Sequence, residues 1–306
     1  MRSHGNYQLS YLQGIHKEPA VATNSRGVSA CSLRAGGAMV GRVNEQPSWE
    51  GLTAAEVAAD AAETQRFLLN RKAQRRLHVP VRRDFVQLPP RSESRHSVLA
   101  QFVRGRDVRG LRAYLFIIAI TSSDLDNWST TLNSSVWARA IGATETAEPA
   151  SARAAVTKIF GRLHQRRLIT CTRLLGTHDI RVTLLREDGK GGAYTRPGKE
   201  NRDPYLRIPR ELWDERVIDD LGLPALAMLL VLSCERPGFE LPSERTPEWY
   251  GWSADTAERG FKELVDKGLV EVRKTFKSAP ASPRGYTHCN RYTLVAPYAH
   301  RGRAIQ

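Results

Sequence analysis

The stretch SARAAVTKIFGRLHQRRLITCTRLLGTHDIRVTLL, Ser151–Leu185, decides how the rest of the chain is read. Val156, Ile159, Phe160 and Leu163 recur at 3.6-residue spacing, so Ser151 to about Arg166 predicts an amphipathic helix. β-Prone alternation follows at once. Ile169–Leu174 and Ile180–Leu185, around Gly176-Thr177-His178-Asp179, predict a hairpin. The helix face opposite the apolar stripe holds Ser151, Ala154, Lys158 and Arg162, with Arg153 at its flank. Arg166, Arg167, Arg173, Arg181 and Arg186 carry the positive charge onward into the hairpin. Between residues 150 and 186 eight basic side chains stand against a single acid, Asp179. Small residues beside long cations let such a helix lie close in a major groove, where Lys and Arg reach phosphates or guanine edges.

A second stretch, SADTAERGFKELVDKGLVEVRKTFK at Ser253–Lys277, says the same thing again. Leu163-x4-Leu168-Ile169 returns as Leu264-x4-Leu269-Val270. Upstream, Leu111, Leu115 and Ile118 return 112 residues later as Leu223, Ala227 and Leu230, and Trp137 returns at the same offset as Trp249. Phe85-Val86-Gln87-Leu88-Pro89 is echoed by Tyr205-Leu206-Arg207-Ile208-Pro209, an opening strand in each copy. Asn133 caps a short helix to Ile141, Thr246 and Pro247 open its counterpart, and Gly142 or Gly251 ends them. Ser253 caps the third helix of the second copy. The unit is helix, short helix, helix, hairpin, which is the winged-helix form of helix-turn-helix.

The expected fold class is therefore α+β and mostly helical: two winged-helix domains in tandem behind a disordered N-terminal segment. The division is 1–80 for the disordered start plus a basic helix, 81–186 for the first domain, 187–203 for a Gly-rich linker, 204–298 for the second domain and 299–306 for a basic tail. In 1–80, Thr53 is placed to cap a helix from Ala54 to Leu77, ended by Pro80, with acids early and bases late as the helix dipole favours.

The two copies differ in charge. In the second, Ala257, Phe261, Leu264 and Val265 face the core and Asp255, Thr256, Arg259, Lys262, Glu263 and Asp266 face outward. Thr256 and Arg259 are the base-edge candidates there, supported by Lys262. The hairpin supplies Arg273, Lys274, Lys277, Arg284 and Arg291. Residues 201–271 hold 9 bases and 15 acids, whereas 272–306 hold 7 bases and no acid. Carboxylates on the reading face oppose phosphate, so the first copy is expected to carry most of the affinity.

Composition narrows the classes further. The 306 residues carry 46 Lys+Arg against 32 Asp+Glu, a net charge of +14 and a pI near 10. That favours a polyanionic partner, nucleic acid before an anionic membrane surface. No apolar run nears the length of a membrane span. Cys31, Cys171, Cys234 and Cys289 are scattered, which predicts neither disulfides nor a zinc knuckle and points to a reducing cytoplasm; a DNA-binding protein there is expected to be nucleoid-associated. Gly189-Lys190-Gly191-Gly192 lacks P-loop spacing. His288-Cys289 and Asp124 with Asp126 lack companion metal ligands, and His164 and His178 sit beside arginines. Trp213, Trp249 and Trp252 read as core and cap aromatics. No catalytic residue, metal or cofactor is expected, and the protein is read as non-enzymatic.

The duplicated order, the Leu-x4-Leu-[Ile/Val] helix exit and the closing strand Asn290-Arg291-Tyr292-Thr293-Leu294 resemble the plasmid and phage replication initiators built from two winged-helix domains. The resemblance spans about residues 81–298. It implies a double-stranded DNA-binding protein whose two domains grip successive half-sites of origin repeats. It also implies a monomer–homodimer equilibrium and host replication proteins as partners. A transcriptional repressor of the same fold, and a winged-helix scaffold for other proteins, are the alternatives.

Overall fold

The computed structural model describes residues 59–73, 77–89, 92, 95–122, 127–145, 147–198 and 203–299, which belong to one compact unit. The expected disordered start, the Thr53 cap, the Asp124/Asp126 pair and the basic tail lie outside the described residues. In chain order the elements are α1 (Ala61–Ala73), β1 (His78–Arg82), α2 (Val98–Arg104) and α3 (Val108–Ile120). They are followed by β2 (Ser129–Asn133), α4 (Ser134–Ala140), α5 (Pro149–Gln165) and the hairpin β3 (Ile169–Arg173) and β4 (Asp179–Leu184). The second half has β5 (Tyr205–Pro209), α6 (Glu211–Asp214), α7 (Val217–Asp220), α8 (Leu223–Leu232), α9 (Thr246–Tyr250), α10 (Ala254–Asp266) and the hairpin β6 (Val270–Ser278) and β7 (Tyr286–Leu294). The fold is α+β, with ten α-helices and small antiparallel sheets among the described residues. No described helix is long and apolar enough to cross a membrane.

The order α3–α4–α5–β3–β4 recurs as α8–α9–α10–β6–β7. α8, and α3 beyond Arg112, are apolar on every side and form the two centres: Leu111, Leu115 and Ile118, like Ala227 and Leu230, are removed from solvent. Trp137 is buried on α4, donates its indole N–H to the Ile180 carbonyl at 3.1 Å and meets Phe160 edge-on. Its counterpart Trp249 is half-buried, with the Arg95 guanidinium 5.2 Å above its ring. The Asn133 and Ser253 caps form as read, accepting from Ser135 N at 3.1 Å and Thr256 N at 3.2 Å. Thr246 does not cap: it is buried as the first residue of α9.

Each hairpin has a third neighbour that the sequence did not announce. β2 pairs with β4, giving the order β2–β4–β3. In the second half the same place is held by a single bridge, Phe239 opposite Tyr292. β2 is only five residues of Ser, Thr, Leu and Asn, too polar to stand out by alternation.

Three sequence expectations are corrected here. First, the opening strand of the first copy is His78–Arg82, not Phe85–Pro89. Val79-x-Val81-x-Arg83-Asp84-Phe85 is the true match to Leu206-x-Ile208-x-Arg210-Glu211-Leu212. These two strands pair with each other, Val79 opposite Ile208 and Val81 opposite Leu206, a local two-fold relation. Pro80 therefore sits in β1 rather than ending a helix, tolerated because a two-stranded ladder is all edge. Second, α1 begins at Ala61, where Asp60 accepts from Glu63 N at 2.7 Å, and it is not a loose arm. Leu68 and Leu69 are buried, and Gln65 Nε2 donates to the Ala140 carbonyl at 2.9 Å.

Third, the stretch expected to be an open linker is partly built into the fold. Glu187 is fully buried and receives Arg82 Nη1 at 2.5 Å, while Arg82 Nε donates to Asp203 at 2.9 Å and Nη2 to Thr195 Oγ1 at 2.7 Å. The two halves also touch elsewhere. Arg104 Nε donates to the Gly251 carbonyl at 2.7 Å, Gln87 Nε2 to the Trp249 carbonyl at 3.2 Å, and Arg83 pairs with Glu235 at 2.8 Å.

Gly260 marks a close approach of α10 to α8. A Cβ there would lie 2.5 Å from the Pro224 carbonyl oxygen and 2.7 Å from Met228 Cγ. Gly260→Ala should thus lower stability by about 1–3 kcal/mol despite alanine's better helix propensity. A fall in the urea midpoint is the readout, and an unchanged or raised midpoint would refute the close packing.

Candidate nucleic-acid interface

α5 presents its core face, Val156, Ile159, Phe160 and Leu163, to α3 and α4 and its other face to solvent. Not every cation on the outer side is available. Asp107, nearly buried at the start of α3, accepts from Gly110 N at 3.0 Å, from Arg162 Nε at 2.9 Å and Nη2 at 2.8 Å, and from Arg166 Nη1 at 2.6 Å. Burial works to raise the Asp107 carboxyl, but the two guanidiniums outweigh it and hold it below the usual carboxylate range. Arg166 also covers the Phe102 ring at 4.2 Å. Arg162 and Arg166 thus fasten α5 to α3, and the charge expected to meet DNA is shared with Asp107.

The second half confirms the logic with the charge reversed. Glu263 occupies the position of Arg162, one residue before the paired leucine. It is turned inward, not outward, and its Oε1 accepts from Gly222 N at 2.7 Å at the start of α8. In both halves this position ties the third helix to the first.

Around α5 and its hairpin, five cations have no carboxylate partner among the described residues. Arg153 and Lys158 are exposed on α5, Arg167 follows it, and Arg173 and Arg181 project from β3 and β4. Ser151 is exposed beside them. Arg173 donates to Thr157 Oγ1 at 2.8 Å and Arg181 to Thr131 Oγ1 at 3.3 Å, neutral partners that orient the guanidiniums without cancelling their charge. The lone acid, Asp179, is half-buried and accepts from Asn133 Nδ2 at 3.2 Å. At the hairpin tip Leu175 is 99% exposed. Arg186 is withdrawn by Asp188 and Asp203. His164 points back to the Ile169 carbonyl at 3.2 Å rather than out to a phosphate.

Arg167 sits at φ 56°, in the left-handed region, whereas its counterpart Gly268 sits at φ 70°. Each is the residue after the helix cap, where glycine is the unstrained choice. An arginine held there costs stability, and such strain gathers at functional positions. Arg167→Gly should raise stability by about 1 kcal/mol and weaken duplex binding. Thermal unfolding and a binding titration on the same sample check both halves. A variant that is more stable and binds equally well would remove Arg167 from the interface.

On α10 the outward face is more occupied. Arg259 pairs with Asp255 at 3.1 Å and contacts Thr256 Oγ1, so its expected base-edge role competes with an exposed intrahelical pair. Thr256 is itself bonded to the Ser253 hydroxyl at 2.9 Å. Lys262 is exposed. Lys277 and Arg291 are both drawn to Glu240, at 3.3 and 2.9 Å, and the two cations hold that carboxyl below its usual range. Arg273, Lys274 and Arg284 remain exposed without a carboxylate partner among the described residues. A groove of about 890 Å³ runs between α10 and the β6–β7 hairpin, walled by Asp255, Arg259 and Lys262 on one side and Lys274, His288 and Asn290 on the other.

The residues that sequence reasoning missed are the acids that select among the cations: Asp107, Glu240 and Glu263. Asp107 lies 55 positions from Arg162, and no local pattern announces such a pairing. The Gly189–Gly192 stretch runs from a turn into a loop: Gly189 and Gly191 take φ 74° and 84°, and Lys190 N donates to Asp188 at 2.9 Å. No protein-family model, curated protein or solved structure matches this chain.

Proposed function

We propose that the two halves are winged-helix modules and that the chain binds double-stranded DNA, α5 lying in a major groove and the β3–β4 hairpin flanking it. The observation that carries this reading is the cation-rich surface of the first module. Arg153, Lys158, Arg167, Arg173 and Arg181 crowd one helix and one hairpin, Asp107 and Asp179 are bonded inward, and Glu148 at the start of α5 is the exposed acid beside them. Side chains whose charge is not internally neutralised are the ones that gain by releasing counterions from a phosphate backbone. The second module contributes less, through Arg273, Lys274 and Arg284 on its hairpin.

Replication initiation is the role we favour, because two modules in one chain suit successive half-sites without requiring a dimer. Its test is a mobility shift on duplexes carrying one or several iterated repeats from beside the coding region. Expected is tighter binding to the iterated duplex than to a scrambled one. A chain that shifts no duplex even at about 50 mM salt overturns DNA binding itself and leaves the protein-scaffold reading.

A further inference from the structure

In an antiparallel ladder alternate residues share a face. The register therefore places Lys274 opposite Asn290, Phe276 opposite His288 and Ser278 opposite Tyr286 on one side of the β6–β7 hairpin. Near its base this side is covered: Tyr292 stacks flat on Phe261 of α10 at 3.7 Å. Farther out nothing described covers it. Phe276 is 70% exposed, and the rings of Phe276, Tyr286 and His288 pack on one another with centroids 4.8 to 5.8 Å apart.

Three mutually supported rings laid open to water are an odd expense for a surface hairpin. Their surroundings say what they suit. From Val272 to the end of the chain there is no acidic residue, Lys274 shares the face of the rings two residues from Phe276, and across the groove α10 sets Arg259 and Lys262 beside Asp255 and Glu258. An apolar protein partner has no use for that charge, and a closed duplex hides its base faces. Unpaired bases beside their phosphates need both features, because every base has a π-face to stack and a backbone charge to neutralise.

We propose that this face of the β6–β7 hairpin binds single-stranded DNA, stacking unpaired bases on Phe276 and Tyr286 while Lys274 holds an adjoining phosphate. It goes beyond the duplex reading, since Phe276 and Tyr286 belong to the β6–β7 hairpin and have no part in the duplex contacts proposed above.

The test is fluorescence anisotropy of the full chain with a labelled oligothymidylate of about 16 nucleotides, alongside a duplex of the same length. Wild type should bind both. Phe276→Ala/Tyr286→Ala should weaken the oligothymidylate about tenfold or more while leaving duplex affinity within about twofold. Phe276→Trp keeps a ring, so it should retain strand binding and show tryptophan quenching on addition of the oligonucleotide. Binding of duplex but not of the single strand by wild type overturns this inference and spares the duplex reading. Binding of neither strikes the duplex reading itself. A double alanine variant that binds the strand unchanged, or whose only change is a lower mass in light scattering, overturns the inference; the latter outcome assigns the face to self-association.

Discussion

Arg82→Ala is expected to cost the fold about 3–5 kcal/mol, the range for breaking a buried ion pair by removing one partner. The side chains of Arg82 and Glu187 are 2% and 0% exposed. Burial pushes the Glu187 carboxyl up and Arg82 pulls it back, so without the guanidinium Glu187 is left to take a proton or unfold its surroundings. The loss reaches past one contact. Arg82 ends β1 and fastens Glu187, Thr195 and Asp203 to the β1–β5 ladder that joins the halves. Urea unfolding should show the loss, and limited proteolysis should cut the 187–203 segment faster in the variant than in wild type. Replacing both partners, as Arg82→Met/Glu187→Leu, should recover most of the stability, because no buried charge is then left unpaired. A loss below about 1 kcal/mol for Arg82→Ala would mean that the cluster is solvated and the joint is a true linker.

The second large effect is on binding. Arg153→Ala/Lys158→Ala/Arg173→Ala/Arg181→Ala should weaken every duplex by on the order of 10³-fold near 0.1 M salt, and make the salt slope shallower by about 3–4. The matching change in the second module, Arg273→Ala/Lys274→Ala/Arg284→Ala, should cost less. Arg259→Ala should change scrambled duplexes little, because Arg259 is paired with Asp255. The Arg162→Ala variant separates binding from stability: it leaves Asp107 short of a partner, so its main defect should be in unfolding. Equal losses from the two module variants would contradict the division of labour.

The third helices and the hairpins were legible in the sequence because both periods are local. Val156, Ile159, Phe160 and Leu163 mark α5, and the alternation after Leu168 and Leu269 marks β3 and β6, within a few residues of where they lie. The first opening strand was misplaced by a few residues because Val79-Pro80-Val81 contains a proline that reads as a breaker, until its partner β5 is seen beside it. The candidate site was legible as a charge but not as a choice. Arg162 and Arg153 look alike on a helical projection, and only Asp107, brought in by the packing of α3 against α5, sets them apart. Lys277 and Arg291 likewise look free until Glu240 is placed beside β7 by the Phe239–Tyr292 bridge. Pairings between distant elements are fixed by tertiary packing, and a single sequence carries no local trace of them.

The most direct test of the account is the duplex affinity of the full chain as a function of salt. The eight cations proposed to meet phosphate, five on the first module and three on the second, predict that log K falls with log salt at a slope of about −5 to −7 between about 50 and 200 mM. A slope near zero over that range, with the circular dichroism of the fold intact, would contradict the claim that this charged surface exists to hold a phosphate backbone.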